Sequence, residues 1–221
     1  MPTSGIPLNN YWVVTPTSQF TTKAYGNLAG TDLFFYVNDT GALVVVNQNS
    51  ASVSAHPPDG ASAPGSITYT LAPAAKWVDC VSVAPYGTVH TYYADPSGTI
   101  WYIPYSAFPG RASATQVTTV NAVTFSVAHL PNSTPNAFVM IVDDGIRHWL
   151  YVATDPLFQN LLNPAVAVYN NSLDQSIYVT RPSISMHPND TTLATVSCHE
   201  IIIQTSLSDV GFYEIEIPGV S

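Results

Sequence analysis

An Asp or Asn followed shortly by Gly, between two β-rich runs, recurs along this chain and constrains its fold more than any other feature. Leu33 to Val37 leads through Asn38-Asp39-Thr40-Gly41 into Ala42 to Val46. Val89 to Ala94 leads through Asp95-Pro96-Ser97-Gly98 into Thr99 to Ile103, and Phe138 to Val142 leads through Asp143-Asp144-Gly145 into Ile146 to Val152. Gly reaches the positive φ that a tight hairpin needs, and β-branched and aromatic residues suit the pleated flanks. A fourth, degraded copy is expected at Leu193 to Ser197, with Cys198-His199-Glu200 as the turn and Ile201 to Thr205 as the return strand.

The flanks repeat too. Ser82-Val83-Ala84-Pro85, Ser126-Val127-Ala128-His129 and Ser185-Met186-His187-Pro188 precede the second, third and fourth hairpins. A further apolar strand follows each hairpin, at Ile67 to Leu71, Gln116 to Val120, Ala165 to Tyr169 and Phe212 to Ile217. Leu33, Val89, Phe138 and Leu193 mark spacings of roughly 56, 49 and 55 residues, the period of propeller blades. A twisted four-stranded sheet has two apolar faces, and packing between like sheets covers both.

The expected fold is therefore all-β: a small β-propeller of about four four-stranded blades, or five if residues 10 to 30 hold a worn copy. The units fall near 17–75, 76–121, 122–175 and 176–221 of a single domain over 1–221, with Asn10 to Thr15 closing the ring as a strap. The rival is a β-sandwich or jelly roll, which accommodates a similar strand number. One short helix is expected at Asp155 to Leu162, with Pro156 in its first turn and Pro164 ending it.

Composition narrows the partners. Hydrophobic residues make up 46 % of the chain, enough for a folded core, while charged residues make up only 9 %. Fourteen acids against five Lys and Arg give a net charge of -9, which repels a phosphate backbone or an anionic membrane. No apolar run approaches eighteen residues, so no helical span and no membrane insertion is expected. The start Met1-Pro2-Thr3-Ser4-Gly5 lacks the features of a leader, which suggests a cytoplasmic or non-classically secreted chain, or an extracellular one if Met1 replaces a removed leader. Cys80 and Cys198 have no metal-ligand spacing and read as buried thiols, with a bridge open only in an oxidising compartment.

Catalytic signatures are missing from the linear sequence. There is no nucleophile elbow, phosphate loop, His-Glu-x-x-His or Cys-x-x-Cys, and Glu occurs only at Glu200, Glu214 and Glu216. Asp143 and Asp144 are adjacent, but a hairpin turn selects Asp for backbone reasons. An enzyme would need carboxylates such as Asp32, Asp79, Asp95 and Asp174 to converge on the central axis. A non-enzyme without cofactor or metal is therefore expected. His90, His129, His148, His187 and His199 are scattered, and His129 and His187 fall at matching places a blade apart.

Sugar binding fits the remaining residues, since a pyranose offers an apolar face to Trp or Tyr and a hydroxyl edge to Asp, Arg or His. The candidate ligand-binding residues are Trp149, Arg147, His148, Asp144, Tyr93, Asp95, Trp101 and Trp77. Strand alternation sends Arg147 and Trp149 to one face and Ile146 and His148 to the other. The competing use of Trp101 and Trp149 is packing between sheets. The expected partners are glycans or glycoproteins, met multivalently on one ring or on a homo-oligomer. The rival function is a protein-interaction or structural module, and a lactonase- or glycosidase-type enzyme ranks behind it.

Tyr92-Tyr93-Ala94-Asp95-Pro96-Ser97-Gly98-Thr99-Ile100 and Asp144-Gly145-Ile146-Arg147 resemble the repeat of fungal fucose-binding propeller lectins. The composition is also similar to that of fungal fruiting-body lectins. The resemblance implies sites built from an Arg after the hairpin turn, a Glu on the same strand and aromatic residues of a neighbouring blade. Only Arg147 stands at the Arg position. Val44 and Trp101 occupy it in the other units, and no Glu follows.

Overall fold

The protein is described here by a computed structural model covering residues 23–28, 31–48, 66–82, 89–107, 110–111, 114–117, 119–130, 132–171, 177–187, 190–202 and 207–221. The run Asn10 to Thr15, expected as a closing strap, lies outside the described residues. Every sheet is antiparallel and built from strands consecutive in sequence. The first contains β1 (Lys23–Leu28), β2 (Thr31–Val37), β3 (Leu43–Gln48) and β4 (Ser66–Ala72). The second contains β5 (Trp77–Ser82), β6 (Val89–Ala94), β7 (Ile100–Ala107) and the two-residue strands β8 (Gly110–Arg111) and β9 (Thr115–Gln116), both paired to β7. The third contains β10 (Thr124–Leu130), β11 (Ala137–Asp143), β12 (Arg147–Ala153) and β13 (Val166–Asn170). The fourth contains β14 (Ile177–His187), β15 (Asp190–Ile202) and β16 (Leu207–Glu216).

The sheets stack in chain order, and the alternation of side chains explains how. In β11, Phe138, Met140 and Val142 join an apolar layer with Tyr92, Ala94, Ile100 and Tyr102 of the second sheet. The intervening Ala137, Val139 and Ile141 join another layer with Ile184, Ala194, Val196 and Ile215 of the fourth. Both faces of β11 are thus buried, which is why its sequence is an unbroken apolar run rather than an alternating one. A third layer sets Leu33, Phe35, Val37, Leu43 and Val45 of the first sheet against Val78, Val89, Tyr93 and Ile103 of the second. Along one side of the stack the leading strands meet in succession: β1 touches β5, β5 touches β10 and β10 touches β14.

The three Gly-containing hairpins form at their expected places, with Gly41, Gly98 and Gly145 all at positive φ. At Gly98 (φ 94°) a Cβ would also come within 2.8 Å of the Ala122 carbonyl oxygen, so the turn is closed to larger residues. The expected fourth hairpin is corrected. Cys198-His199-Glu200 lies inside β15, where Cys198 pairs with Gly211 of β16 and the strand runs on without a turn. That tripeptide has no Gly or Asn for the left-handed positions of a tight turn. The fourth sheet accordingly shows three strands among the described residues, and Phe212 belongs to the third of them.

The expected helix at Asp155 to Leu162 is instead an irregular loop. The Asp155 carboxylate accepts the amides of Leu157, Gln159 and Asn160 at 2.9, 3.2 and 2.6 Å, and the Asn160 carbonyl accepts the Thr154 amide at 3.1 Å, so the segment closes on itself instead of running on as a helix. Phe158 sits at φ 56° and sinks its ring into the core against Tyr92, at 6.2 Å between centroids. Burial of that ring decides the loop's shape over its local helix signals.

The two-faced packing of β11 makes a quantitative test. Met140→Ala and Ile141→Ala are each expected to cost about 2 to 5 kcal/mol. Their effects should add, because the neighbours lie in different layers. Met140→Ala combined with Tyr151→Ala, its register partner in the same layer, should depart from additivity by about 1 kcal/mol in urea denaturation.

Candidate functional site

Most of the residues that the sequence offers as sugar ligands turn out to be occupied within the fold. Asp95 Oδ1 accepts the amides of Ser97 and Thr99 at 2.9 and 3.1 Å, and its Oδ2 accepts the Trp101 indole N–H at 2.9 Å. Asp144 repeats the arrangement, taking the amides of Ile146 and Arg147 at 2.8 and 2.7 Å on Oδ1 and the Trp149 indole N–H at 2.7 Å on Oδ2. Partial burial works against ionisation at both carboxyls. It is outweighed by the donors, Ser97 and Trp101 foremost at one and Arg147 and Trp149 at the other, which hold both below the usual carboxylate range. Asn38 does the same turn work through one oxygen, accepting from Thr40 and Ala42, and Val44 stands where the Trp would be. The Asp and the Trp therefore come as a pair.

The remaining candidates are distributed unevenly. Arg147 is exposed, its guanidinium 5.6 Å from the Trp149 ring centroid. Tyr93 (7 % exposed) and His148 (0 %) are buried in the interior. His148 bonds Tyr213 Oη through Nδ1 at 2.8 Å, and its pKa is lowered by burial although Asp143 opposes this. Trp77 lines a cavity.

That cavity, of about 340 Å³, lies where the leading strands of the second, third and fourth sheets meet. β5 contributes Trp77, Val78 and Asp79, and β10 contributes Phe125 and Ser126. β14 contributes Arg181, Pro182 and Ser183, with Ser197 and Cys198 of β15 and Val210 of β16 completing the wall. The same strands are stitched together at its floor. Trp77 Nε1 donates to the Phe125 carbonyl at 2.7 Å, and the Val127 amide donates to Asp79 Oδ2 at 2.9 Å. The Cys80 amide donates to Asp79 Oδ1 at 2.8 Å, and the Ile184 amide reaches Ser126 Oγ at 3.3 Å.

Asp79 stands out electrostatically. Desolvation between the sheets pushes its pKa up to about 6, against the amides of Val127 and Cys80 and the hydroxyl of Ser126, which favour the anion. Each carboxyl oxygen takes one backbone donor, the Cys80 amide on Oδ1 and the Val127 amide on Oδ2, and the Ser126 hydroxyl is a third donor to the carboxylate. Of the carboxylates that an enzyme would need to gather at the axis, Asp79 reaches the cavity. Asp95 is spent in its hairpin, Asp32 lies in β2 and Asp174 lies outside the described residues. Arg181, Ser126, Ser183 and Ser197 are absent from the sequence-derived candidates. A lone Asp inside the apolar run Trp77-Val78-Asp79-Cys80-Val81 and an Arg-Pro pair inside a β-rich run were the available signals.

Cys80 and Cys198 are free thiols, and burial, reinforced by Asp79, raises the Cys80 pKa. His90 and His129 share the Phe138 ring, at 5.0 and 4.7 Å between centroids. Burial, with a smaller push from His129, lowers the His90 pKa to about 4. Among the described residues no three His, Cys, Asp or Glu side chains converge as metal ligands would.

No protein-family model matches the sequence, and no curated protein matches it. Among solved structures, the chain is similar to a bifunctional GH43-CE protein of Bacteroides eggerthii, with a TM-score of 0.59 and 9 % identity over 94 % of this chain. The chain spans 28 % of the length of that protein's chain. The likeness is one of fold: an all-β architecture of consecutive antiparallel sheets, two of them four-stranded among the described residues, akin to the propeller of a glycoside hydrolase. It corrects two expectations. The neighbour is a hydrolase–esterase rather than a fungal lectin, so the lectin resemblance goes no further than the hairpin residues. The expectation of a non-enzyme is overturned as well, because the matched fold belongs to a carbohydrate-active enzyme and missing linear motifs do not exclude catalysis from it.

The hairpin staple predicts a stability effect. Trp149→Phe, which keeps a ring and loses the N–H, should cost about 1 to 2 kcal/mol in chemical denaturation. Combined with Asp144→Asn the loss should be less than additive, since the bond is removed once. The Asp79 carboxyl predicts a pH effect. Its folded pKa of about 6 lies above the ordinary 3.8, so its contribution is fully present below pH 3.8 and is lost as pH rises through 6. The stability of wild type relative to Asp79→Asn should fall by on the order of 3 kcal/mol between pH 4 and pH 7. Parallel urea titrations at the two pH values check it.

Proposed function

We propose that this chain is a carbohydrate-recognising protein whose saccharide site is the cavity between the leading strands, and that its sheets are four successive blades of a propeller. The observation that carries the reading is the make-up of that cavity. An aromatic ring (Trp77), three hydroxyls (Ser126, Ser183, Ser197), a carboxyl (Asp79) and a guanidinium (Arg181) face one space of about 340 Å³. Sugars bind through this mixture of apolar face and paired polar groups, and a volume near the lower end of ligand pockets, roughly 300 to 1,000 Å³, suits a terminal sugar residue better than an extended chain. The kinship in fold with a GH43-CE protein supports the same ligand class. The hairpin tryptophans are left a structural role, and the site moves from the repeats to the inner strands.

One observation favours a second reading, in which the bound glycoside is also cleaved. A carboxyl that keeps its proton up to about pH 6 in a concave site is suited to general-acid work.

A glycan-array screen with free-sugar competition tests the first reading. Wild type and Arg147→Ala should give the same competable binding, because Arg147 lies outside the cavity. Ser183→Trp, which fills the cavity from an exposed position, should abolish it. A blank wild-type array, or binding that survives Ser183→Trp, would sink the cavity reading. For the second reading, release of nitrophenol from a panel of aryl glycosides should fall by about 10² or more in Asp79→Asn. Absence of turnover across the panel would leave recognition alone.

A further inference from the structure

We propose that the saccharide taken by this cavity is an acidic one, a sugar bearing a carboxylate, and that Arg181 is the residue that selects it. This inference rests on the cavity being the sugar site.

The first support is the scarcity of cations. The chain has five Lys and Arg against fourteen Asp and Glu, yet one of the five lines the cavity. Among the described residues no hydrogen bond or ion pair holds its guanidinium, and Asp79 owes none of its shifted pKa to Arg181. The cation is therefore not there to neutralise the carboxyl on the facing strand.

The backbone supplies the second support. Arg181 sits at φ 53°, in the left-handed region, in the middle of an eleven-residue strand. Register between β14 and β15 shifts between Thr180 and Ser183, so the chain bulges at Arg181-Pro182. A β-branched or long side chain avoids that conformation unless surrounding contacts impose it, and bulges of this kind re-aim a side chain. The flanks are fixed from outside the strand. Thr180 Oγ1 donates to the buried Asp143 at 2.7 Å, and the Asn171 amide side chain both donates to the Val179 carbonyl and accepts from the Val179 amide, at 2.8 and 2.7 Å. The bulge is thus held on one side by the third sheet, and it delivers Arg181 to the cavity wall.

The third support is chemical fit. A guanidinium binds a carboxylate through two parallel N–H donors, and the hydroxyls of Ser183 and Ser197 stand on the same wall to take the ring hydroxyls. A net charge of -9 disfavours polyanions at long range, so the fitting ligand carries a single carboxylate on its terminal sugar.

Isothermal titration of wild type with methyl glucuronide, methyl galacturonide and sialyllactose, each beside its neutral counterpart (methyl glucoside, methyl galactoside, lactose), tests the inference. At least one acidic member should bind tenfold or more tighter than its neutral partner, and the pattern tells uronic from sialic acids. Arg181→Gln should remove that preference, so that the acidic and neutral members of each pair bind alike. Arg181→Gly guards against a folding artefact, because Gly accepts the positive φ and the variant should melt no lower than wild type. It too should lose the preference. Equal binding of acidic and neutral sugars by wild type, or a preference that persists in a folded Arg181→Gly, overturns this inference and leaves the saccharide site standing. No binding of either kind overturns both.

Discussion

Face-to-face packing of consecutive sheets is the constraint on which everything else in this protein depends. A strand has side chains on two faces, and in β11 both faces are buried, one against the second sheet and one against the fourth. Fully burying a Val, Ile or Phe side chain is worth roughly 1.5 to 3 kcal/mol, so three such layers supply the core among the described residues without a disulfide. Packing of this kind also brings the leading strands together on one side. The cavity is what remains where three of those strands converge without filling the space between them.

Polar stitches fix that convergence. Asp79 receives a backbone amide from its own strand and one from β10, and Ser126 of β10 receives one from β14. Asp143 does comparable work between the third and fourth sheets, accepting from Thr124 and Thr180. Buried polar groups are tolerated when their partners are supplied, and here the partners come from different sheets, so relative placement is specified together with satisfaction. Asp79 differs from Asp143 in also lining the cavity between those strands.

The repeats and the site have divided the work. The hairpin Asp–Trp pairs look like ligand chemistry in a linear reading, because the residue types that bracket a sugar are also those that close a turn. Distance separates the two uses: an indole N–H 2.7 Å from Asp144 and 2.9 Å from Asp95 is already spoken for. In the first hairpin the Asp becomes Asn and the Trp becomes Val together, which is what a turn device predicts and a binding site does not. The cavity is assembled from unlike contributions of successive sheets, so repetition gives no sign of it.

Local physics was enough to read three hairpins and the all-β class from the sequence, since Gly at positive φ and alternating β-formers act over a few residues. It failed where tertiary contacts outweighed local signals: at Phe158, whose buried ring turned a helix signal into a loop, and at Cys198, where pairing with Gly211 carried β15 through an expected turn. The same division holds for the site. Charge balance alone set the expectation that nucleic acid is a poor partner, because a net charge of -9 is a property of composition. That Asp79, Trp77 and Arg181 face one space was decided only by the stacking of sheets, which joins residues about a hundred positions apart through strand contacts that no local pattern encodes.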